Sequence, residues 1–362
     1  MDHLTISAKF TTICLKCLCM IAFCCLLVGC DVNLSNISSN TTSGSGGQCQ
    51  SNCSVGTGAN GLGLIVEPNA GPNPIVDAIR GAKKSVELEM YLLSNKSVIS
   101  ALEEDANSSI DVRVMLEQHP YGGGSISPQQ TLDKLKAAGV KAQFSNPTFA
   151  LTHEKGMVID QSTAYIMTSN FTNSALGTGS YTKNREYDIV DTNAQDVQAV
   201  DAIFQADWNH TTASFNDANL VVSPVNARSD FNTLIGSAKQ TLLVTAEEMN
   251  DSGIEQALVS AAQHGVKVEV ILPAPSGSSS NSTSSGIDTI KQGGVSVRED
   301  AQLYMHAKII IVDGKEAFVG SENISSQSLD QNRELGIIVS DGGVLNTLQQ
   351  TFQGDWDQSR SI

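Results

Sequence analysis

From residue 62 onward, apolar and polar positions follow helical and strand periods in alternation, and the whole pattern occurs twice. Ile75 to Lys84 (IVDAIRGAKK) and Phe231 to Gln240 (FNTLIGSAKQ) each predict an amphipathic helix. A strand follows each helix, at Ser85 to Leu93 and at Thr241 to Glu247. A second helix comes next, Val98 to Ala106 or Gly253 to His264, and then an apolar strand, Val112 to Leu116 or Val266 to Leu272. A third helix ends in Ala138-Gly139-Val140 in one copy and Gln292-Gly293-Gly294-Val295 in the other. The copies open alike, at Val66-Glu67-Pro68 and Val222-Ser223-Pro224, and close alike, at Phe204-Gln-Ala-Asp-Trp208 and Phe352-Gln-Gly-Asp-Trp356. Strands and helices of these lengths predict an α/β fold: a duplicated α/β sandwich whose two halves are related by a pseudo-twofold axis, with helices outside the sheets. The halves are residues 62–213 and 214–362, and the chain is expected to be a monomer with an internal pseudo-dimer.

The first 61 residues do not share this pattern. Cys17 to Val28 is an unbroken apolar run after a weakly basic start at Lys9 and Lys16, which suits a signal-peptide core and is short for a membrane span. It ends in Leu27-Val28-Gly29-Cys30, which resembles the bacterial lipobox. That resemblance implies a lipoprotein signal peptide over 1–29, lipidation of Cys30, and a protein exported to the bacterial cell envelope and anchored to a membrane. An ordinary signal peptide or an anchor helix is the alternative reading. Residues 30–61 are rich in Ser, Asn, Thr and Gly and read as a flexible tether. Cys49 and Cys53 within it are spaced for a small disulfide loop. Pro273 to Ser285, rich in Ser and without an equal in the first half, reads as a surface loop.

Charge narrows the partners. The chain carries 22 basic and 38 acidic residues, a net charge of −16. Loss of residues 1–29 would remove Lys9, Lys16 and Asp2 and leave a net −17. A nonspecific nucleic-acid binder needs a basic face, so an extended phosphate track is disfavoured, although a local basic pocket is not.

Such a pocket is suggested by the motifs. His153-Glu-Lys155-Gly-Met-Val-Ile-Asp160 and His306-Ala-Lys308-Ile-Ile-Ile-Val-Asp313 share the pattern His-x-Lys-x4-Asp at equivalent places. Read as strands, residues i and i+2 face one side, so each imidazole stands beside an ammonium group. Lysine can neutralise a phosphate oxygen while histidine attacks or donates a proton. Fifteen residues after each histidine stands a hydroxyl, Thr168 or Ser321, and seventeen after it an amide, Asn170 or Asn323; these are expected to donate to phosphate oxygens. Asn184-Arg-Glu186 matches Asn332-Arg-Glu334, and a carboxylate there can accept from the second nitrogen of a histidine, fixing its tautomer.

Occurring twice over residues 62–358, this set resembles the phospholipase D superfamily. The resemblance implies that the histidines meet at the pseudo-twofold axis, one attacking phosphorus to form a phosphohistidine and the other protonating the leaving alcohol. By the same resemblance His153 is the attacking residue, and Asp160 and Asp313 hold structure. One departure is Met167-Thr168 where the second half has Gly320-Ser321, which predicts an altered pocket shape in the first half. No cofactor is implied, and no catalytic metal, because no cluster of ligands with the right spacing lies outside the motifs.

Three functions fit. The first is hydrolysis or transfer of phosphatidyl groups, with phospholipid at a membrane surface as the partner. The second is a nuclease, and the third a binding protein without activity. Two intact motifs disfavour the third; charge and anchoring favour the first over the second. Other candidates are weaker: His119, Glu89 and Glu247 stand where they could reach a cleft, while His210 and His264 read as surface residues with structural roles.

Overall fold

The computed structural model describes residues 61–121, 127–275 and 284–362. The signal peptide, Cys30, the tether, the Cys49–Cys53 pair and most of the Ser-rich loop lie outside the described residues.

The first half runs β1 (Leu62–Glu67), α1 (Asn73–Gly81), β2 (Ser85–Met90), α2 (Lys96–Asn107), β3 (Asp111–Leu116), α3 (Pro128–Ala137), β4 (Lys141–Phe144), β5 (Lys155–Ile159), β6 (Thr163–Met167), β7 (Asn184–Asp191) and α4 (Ala194–Trp208). The second runs β8 (Leu220–Ser223), α5 (Ala227–Ser237), β9 (Thr241–Thr245), β10 (Met249–Asn250), α6 (Ser252–Gln263), β11 (Lys267–Pro273), α7 (Ser284–Gln292), β12 (Ser296–Asp300), β13 (Tyr304–Met305), β14 (Ile309–Val312), β15 (Glu316–Gly320), β16 (Ile324–Ser325), α8 (Ser326–Asp330), β17 (Glu334–Val339), α9 (Gly342–Gln358) and β18 (Arg360–Ser361). The sheets have matching orders, β1-β7-β6-β5-β2-β3-β4 and β8-β17-β15-β14-β9-β11-β12, with β18 added at the edge of the second. The boundary expected at 213/214 falls in the irregular segment between α4 and β8.

The sheets bury both faces. Val86, Leu88, Val112 and Val114 pack outward against Ile75, Ile79, Val98 and Leu102 of the first two helices. Leu242, Val244 and Val268 do the same against Phe231, Leu234, Ile254 and Leu258. A third core lies between the halves, where Val158, Ile166 and Ile189 meet Ile309, Ile311, Val319 and Ile337, closed by Val200 and Ile203 of α4 and Leu345 and Leu348 of α9. The all-apolar reading of Ile309–Val312 follows, since a strand covered on both sides loses its alternation.

The motif aspartates close the hairpin turns onto the preceding helix–strand junction. Asp160 accepts from the backbone N–H groups of Lys83, Lys84 and Ser85, at 2.9, 2.6 and 3.0 Å. Asp313 accepts from Lys239, Gln240 and Thr241, at 3.0, 2.8 and 2.8 Å. Both take a left-handed backbone, with φ of 54° and 51°.

The halves also exchange strands. β13 pairs in parallel with β7, Tyr304 with Asn184 and Met305 with Arg185. The counterpart is a bridge between Thr152 and Arg333. Each exchange brings an arginine to a buried aspartate of the other half. Arg185 donates to both carboxylate oxygens of Asp355, each at 2.7 Å, and Arg333 reaches Asp207 at 2.7 Å. The repeated Asp-Trp endings are thus the partners of the repeated Asn-Arg-Glu segments. Removing one member of a buried pair strands the other, so Arg185→Met should lower unfolding free energy by about 3–5 kcal/mol. Denaturant titration measures this, and a change below about 1 kcal/mol would show that the bridge does not hold the halves together.

Candidate active site

The exchanged segments put each histidine against a carboxylate of the opposite half. The Nδ1–H of His153 donates to Glu334 at 2.8 Å, and Nδ1 of His306 lies 2.9 and 2.8 Å from the two oxygens of Glu186. The pairing has a backbone cause: Met305, before His306, sits beside Arg185, before Glu186, and Thr152, before His153, sits beside Arg333, before Glu334. The carboxylates are fixed in turn. Glu186 accepts from Thr168 Oγ1 at 2.7 Å and Asn184 Nδ2 at 2.9 Å. Glu334 accepts from Ser328 Oγ at 2.6 Å and Asn332 Nδ2 at 3.1 Å. Burial alone would raise the Glu334 carboxyl, but His153 and Lys155 beside it hold it below the usual range.

Both histidines line one cavity of about 600 Å³, together with Asn170 and Asn323. Lys155 and Lys308 are fully or almost fully buried beneath them. Neither histidine belongs to the strand predicted for it, since β5 starts at Lys155 and β14 at Ile309. Their lysines do not line the cavity beside them as expected; each ammonium is buried and donates 2.6 Å to the carbonyl of its own motif histidine. Burial, and then the like charge of Lys308, brings Lys155 down to about 7.

Three expectations need correction. Thr168 and Ser321 do not face the cavity. Both are fully buried, Thr168 donates to Glu186, and each hydroxyl accepts the N–H of the residue after its half's glutamate, Tyr187 at 2.9 Å or Leu335 at 3.0 Å. Each directly follows its strand, Thr168 after β6 and Ser321 after β15, and is turned towards the strand that carries its half's glutamate. Met167 does not reshape the cavity either, because it points into the outer core of the first half. In the second half a Cβ on Gly320 would come 2.4 Å from Gly336 Cα, so glycine there reflects close strand packing. Glu89 does not reach the cleft: it is fully buried, and its oxygens lie within 4.8 Å of those of Glu154 and Asp207. This carboxylate cluster comes from segments far apart in sequence, so spacing could not reveal it. Arg333 engages Asp207, and burial raises Glu89 well above the usual carboxylate range and Glu154 to about 8.

His119 is exposed and lies away from the cavity, as do His210 and His264. Glu247 does line it, and its contacts had no sequence signal: it accepts from Lys308 Nζ at 2.8 Å and Tyr304 Oη at 2.9 Å, and lies 3.5 Å from His306 Nε2. Tyr91 was also missed. Its ring meets that of His153 edge-on at 4.6 Å and covers the Lys155 ammonium at 5.2 Å.

The arrangement offers two imidazoles with fixed tautomers over buried positive charge. Burial, outweighing the Glu334 carboxylate, pulls His153 down to about 4. A neutral ring with its Nδ1 proton held by Glu334 presents a bare Nε2 to the cavity.

The family described as cardiolipin synthase, PLD-like domain, matches residues 75–208 and 231–356. A cardiolipin synthase of Clostridium perfringens (strain SM101 / Type A) is 23% identical over 341 residues, covering 83% of this chain and 71% of that protein. A probable cardiolipin synthase, YwiE, of Bacillus subtilis (strain 168) is 23% identical over 324 residues, covering 80% of this chain and 64% of its own length. Among solved structures, the phosphatidylserine synthase of Haemophilus influenzae Rd KW20 superimposes with a TM-score of 0.61 at 14% identity, over 84% of this chain and 88% of that one. At that identity the likeness concerns the fold.

Nitrogen NMR should find the His153 ring neutral at pH 7, protonating only near pH 4. The sign for stability follows. A folded-state value of about 4 lies below the ordinary 6.5, so His153 favours folding above pH 6.5 and loses that contribution as pH falls from 6.5 towards 4. The stability of wild type relative to His153→Asn should therefore fall across that window; a constant difference would contradict a neutral buried ring.

Proposed function

The chain belongs to the phospholipase D-like family, and from that premise we propose that it is a metal-independent phosphodiesterase that hydrolyses or transfers phosphatidyl groups. The observation that carries this reading is the reciprocal pairing, His153 with Glu334 and His306 with Glu186, around one cavity. His153 Nε2 attacks phosphorus, forming an N–P bond as the bond to the leaving alcohol oxygen breaks. His306 supplies the proton that oxygen needs; its Nδ1 faces Glu186, and its Nε2 lies 3.5 Å from Glu247. His306 then takes a proton from water or a second alcohol, which attacks phosphorus and breaks the N–P bond, restoring both rings.

Phospholipid fits better than nucleic acid. With a net charge of −16, the chain has no surplus of cations for a backbone track, and its two motif lysines are buried close to a single cavity. Tyr121 lines the cavity while 75% exposed, an aromatic side chain at its rim of the kind that settles at a membrane interface. Lipidation at Cys30 would hold the cavity near a bilayer and raise the local substrate concentration. Cardiolipin synthase activity in the relatives favours transfer to a second alcohol over hydrolysis.

His153→Asn and His306→Asn should each lower turnover by about 10³-fold or more, with the double variant little worse, because the two act as a unit. A tenth of wild-type activity remaining in either single variant would refute a shared site. Activity should persist in EDTA, because lysine rather than a metal ion meets the phosphate charge; loss of activity reversed by added magnesium or zinc would overturn that assignment. Vesicles of phosphatidylglycerol and phosphatidylcholine should yield phosphatidic acid or exchanged lipid faster than plasmid DNA is nicked. Rapid nicking with every lipid left intact would install the nuclease reading instead.

A further inference from the structure

The two half-sites are not equivalent, and the difference lies at one position. Gly156 pairs with Glu89 across β5 and β2, and Ile309, its repeat counterpart, pairs with Thr245 across β14 and β9. Two residues beyond each strand partner stand Tyr91 and Glu247, which are therefore structural equivalents. In the first half the aromatic face covers the Lys155 ammonium at 5.2 Å, and among the described residues no carboxylate forms an ion pair with it. In the second half the carboxylate meets the Lys308 ammonium at 2.8 Å and cancels that charge inside the cavity wall. Glu247 is itself fixed by the Tyr304 hydroxyl at 2.9 Å, so it is a held partner rather than a passing one. Lys308 and Lys155 are both buried, where a unit charge acts on a neighbouring anion with little screening.

We propose that Lys155 alone supplies the net charge that seats the phosphate, and that Glu247 is a positioning residue that withdraws Lys308 from that task and braces it beneath His306. This rests on the reading of the cavity as a phosphodiester site. The phosphate then settles against the first half-site, over Lys155 and beside the bare Nε2 of His153. The Glu247–Lys308 pair behaves as a neutral unit, so losing both of its charges matters less than losing Lys155.

Orthophosphate binding to the full-length chain, measured by calorimetry at fixed ionic strength and at pH 6, where Lys155 at about 7 is mostly charged, tests this without any turnover. Lys155→Met should weaken binding by about 30-fold or more, as expected for removing a buried charge partner. Glu247→Gln should tighten it about tenfold, because Lys308 is freed to face the anion. The double variant Glu247→Gln/Lys308→Met should lie within about threefold of wild type, since it deletes a neutral pair. A merely structural role for Glu247 gives no gain in affinity. If the double variant loses as much as Lys155→Met, or if Glu247→Gln binds no more tightly than wild type, the inference is wrong. Circular dichroism checks folding; should the double variant not fold, Glu247→Gln against Lys155→Met decides by the sign of each change. Failure here with phospholipid turnover intact would overturn the unequal seat and leave the function standing. The affinity pattern seen without turnover of any lipid would do the reverse.

Discussion

Everything at this site depends on a hydrogen bond that neither half can make alone. A histidine on one half finds its carboxylate on the other, His153 on Glu334 and His306 on Glu186. A carboxylate on Nδ1 places the proton there and leaves Nε2 for chemistry. Because the bond crosses between halves, the halves must pack to a fraction of an ångström before either imidazole is oriented. The strand exchange and the two Arg–Asp bridges are the devices that secure it. They act one residue before each member of the pair, at Arg185 and Arg333.

The dense buried charge around the site is consistent with that requirement. Glu186, Glu334, Lys155 and Lys308 are nearly or wholly shielded from solvent, and each carboxylate has several donors. Burying ions is costly unless they are paired and bonded, so such a layer is poor as a source of stability. Its value is preorganisation, since dipoles and charges already aimed at the cavity need not reorganise when a phosphate arrives. Most of the favourable energy of folding comes instead from the apolar cores on each flank and between the sheets.

Duplication explains the symmetry, and departures from it show where the two copies have diverged. The Asp160 and Asp313 turns, the Asn–Glu contacts and the lysine-to-carbonyl bonds are the same in both halves. The Tyr91–Glu247 difference falls within the cavity wall, and the Glu89–Glu154–Asp207 cluster belongs to the first half alone. Two copies that began equal can take unequal parts only through differences of this kind.

The sequence alone determined the fold class and named the motif residues as candidates for the site. Local periodicity marks helices and strands, and a pattern seen twice at equal spacing turns a common His-x-Lys pair into a shared site. The element order, the three helix–strand units of each half and the roster His153, Lys155, His306 and Lys308 all follow from positions close together in the chain. Element ends were less legible, because His153 and His306 precede their strands and are placed by the pairing of the residue before each with the other half. The tertiary structure alone decided who touches whom. It assigned Glu334 to His153 and Glu186 to His306, turned Thr168 and Ser321 away from the cavity, and brought Glu247 onto Lys308. Those contacts span from 14 to 181 residues, and a hydrogen bond at that separation leaves no mark on local hydropathy. It exists only because two sheets, each formed by short-range rules, bury their apolar faces against one another.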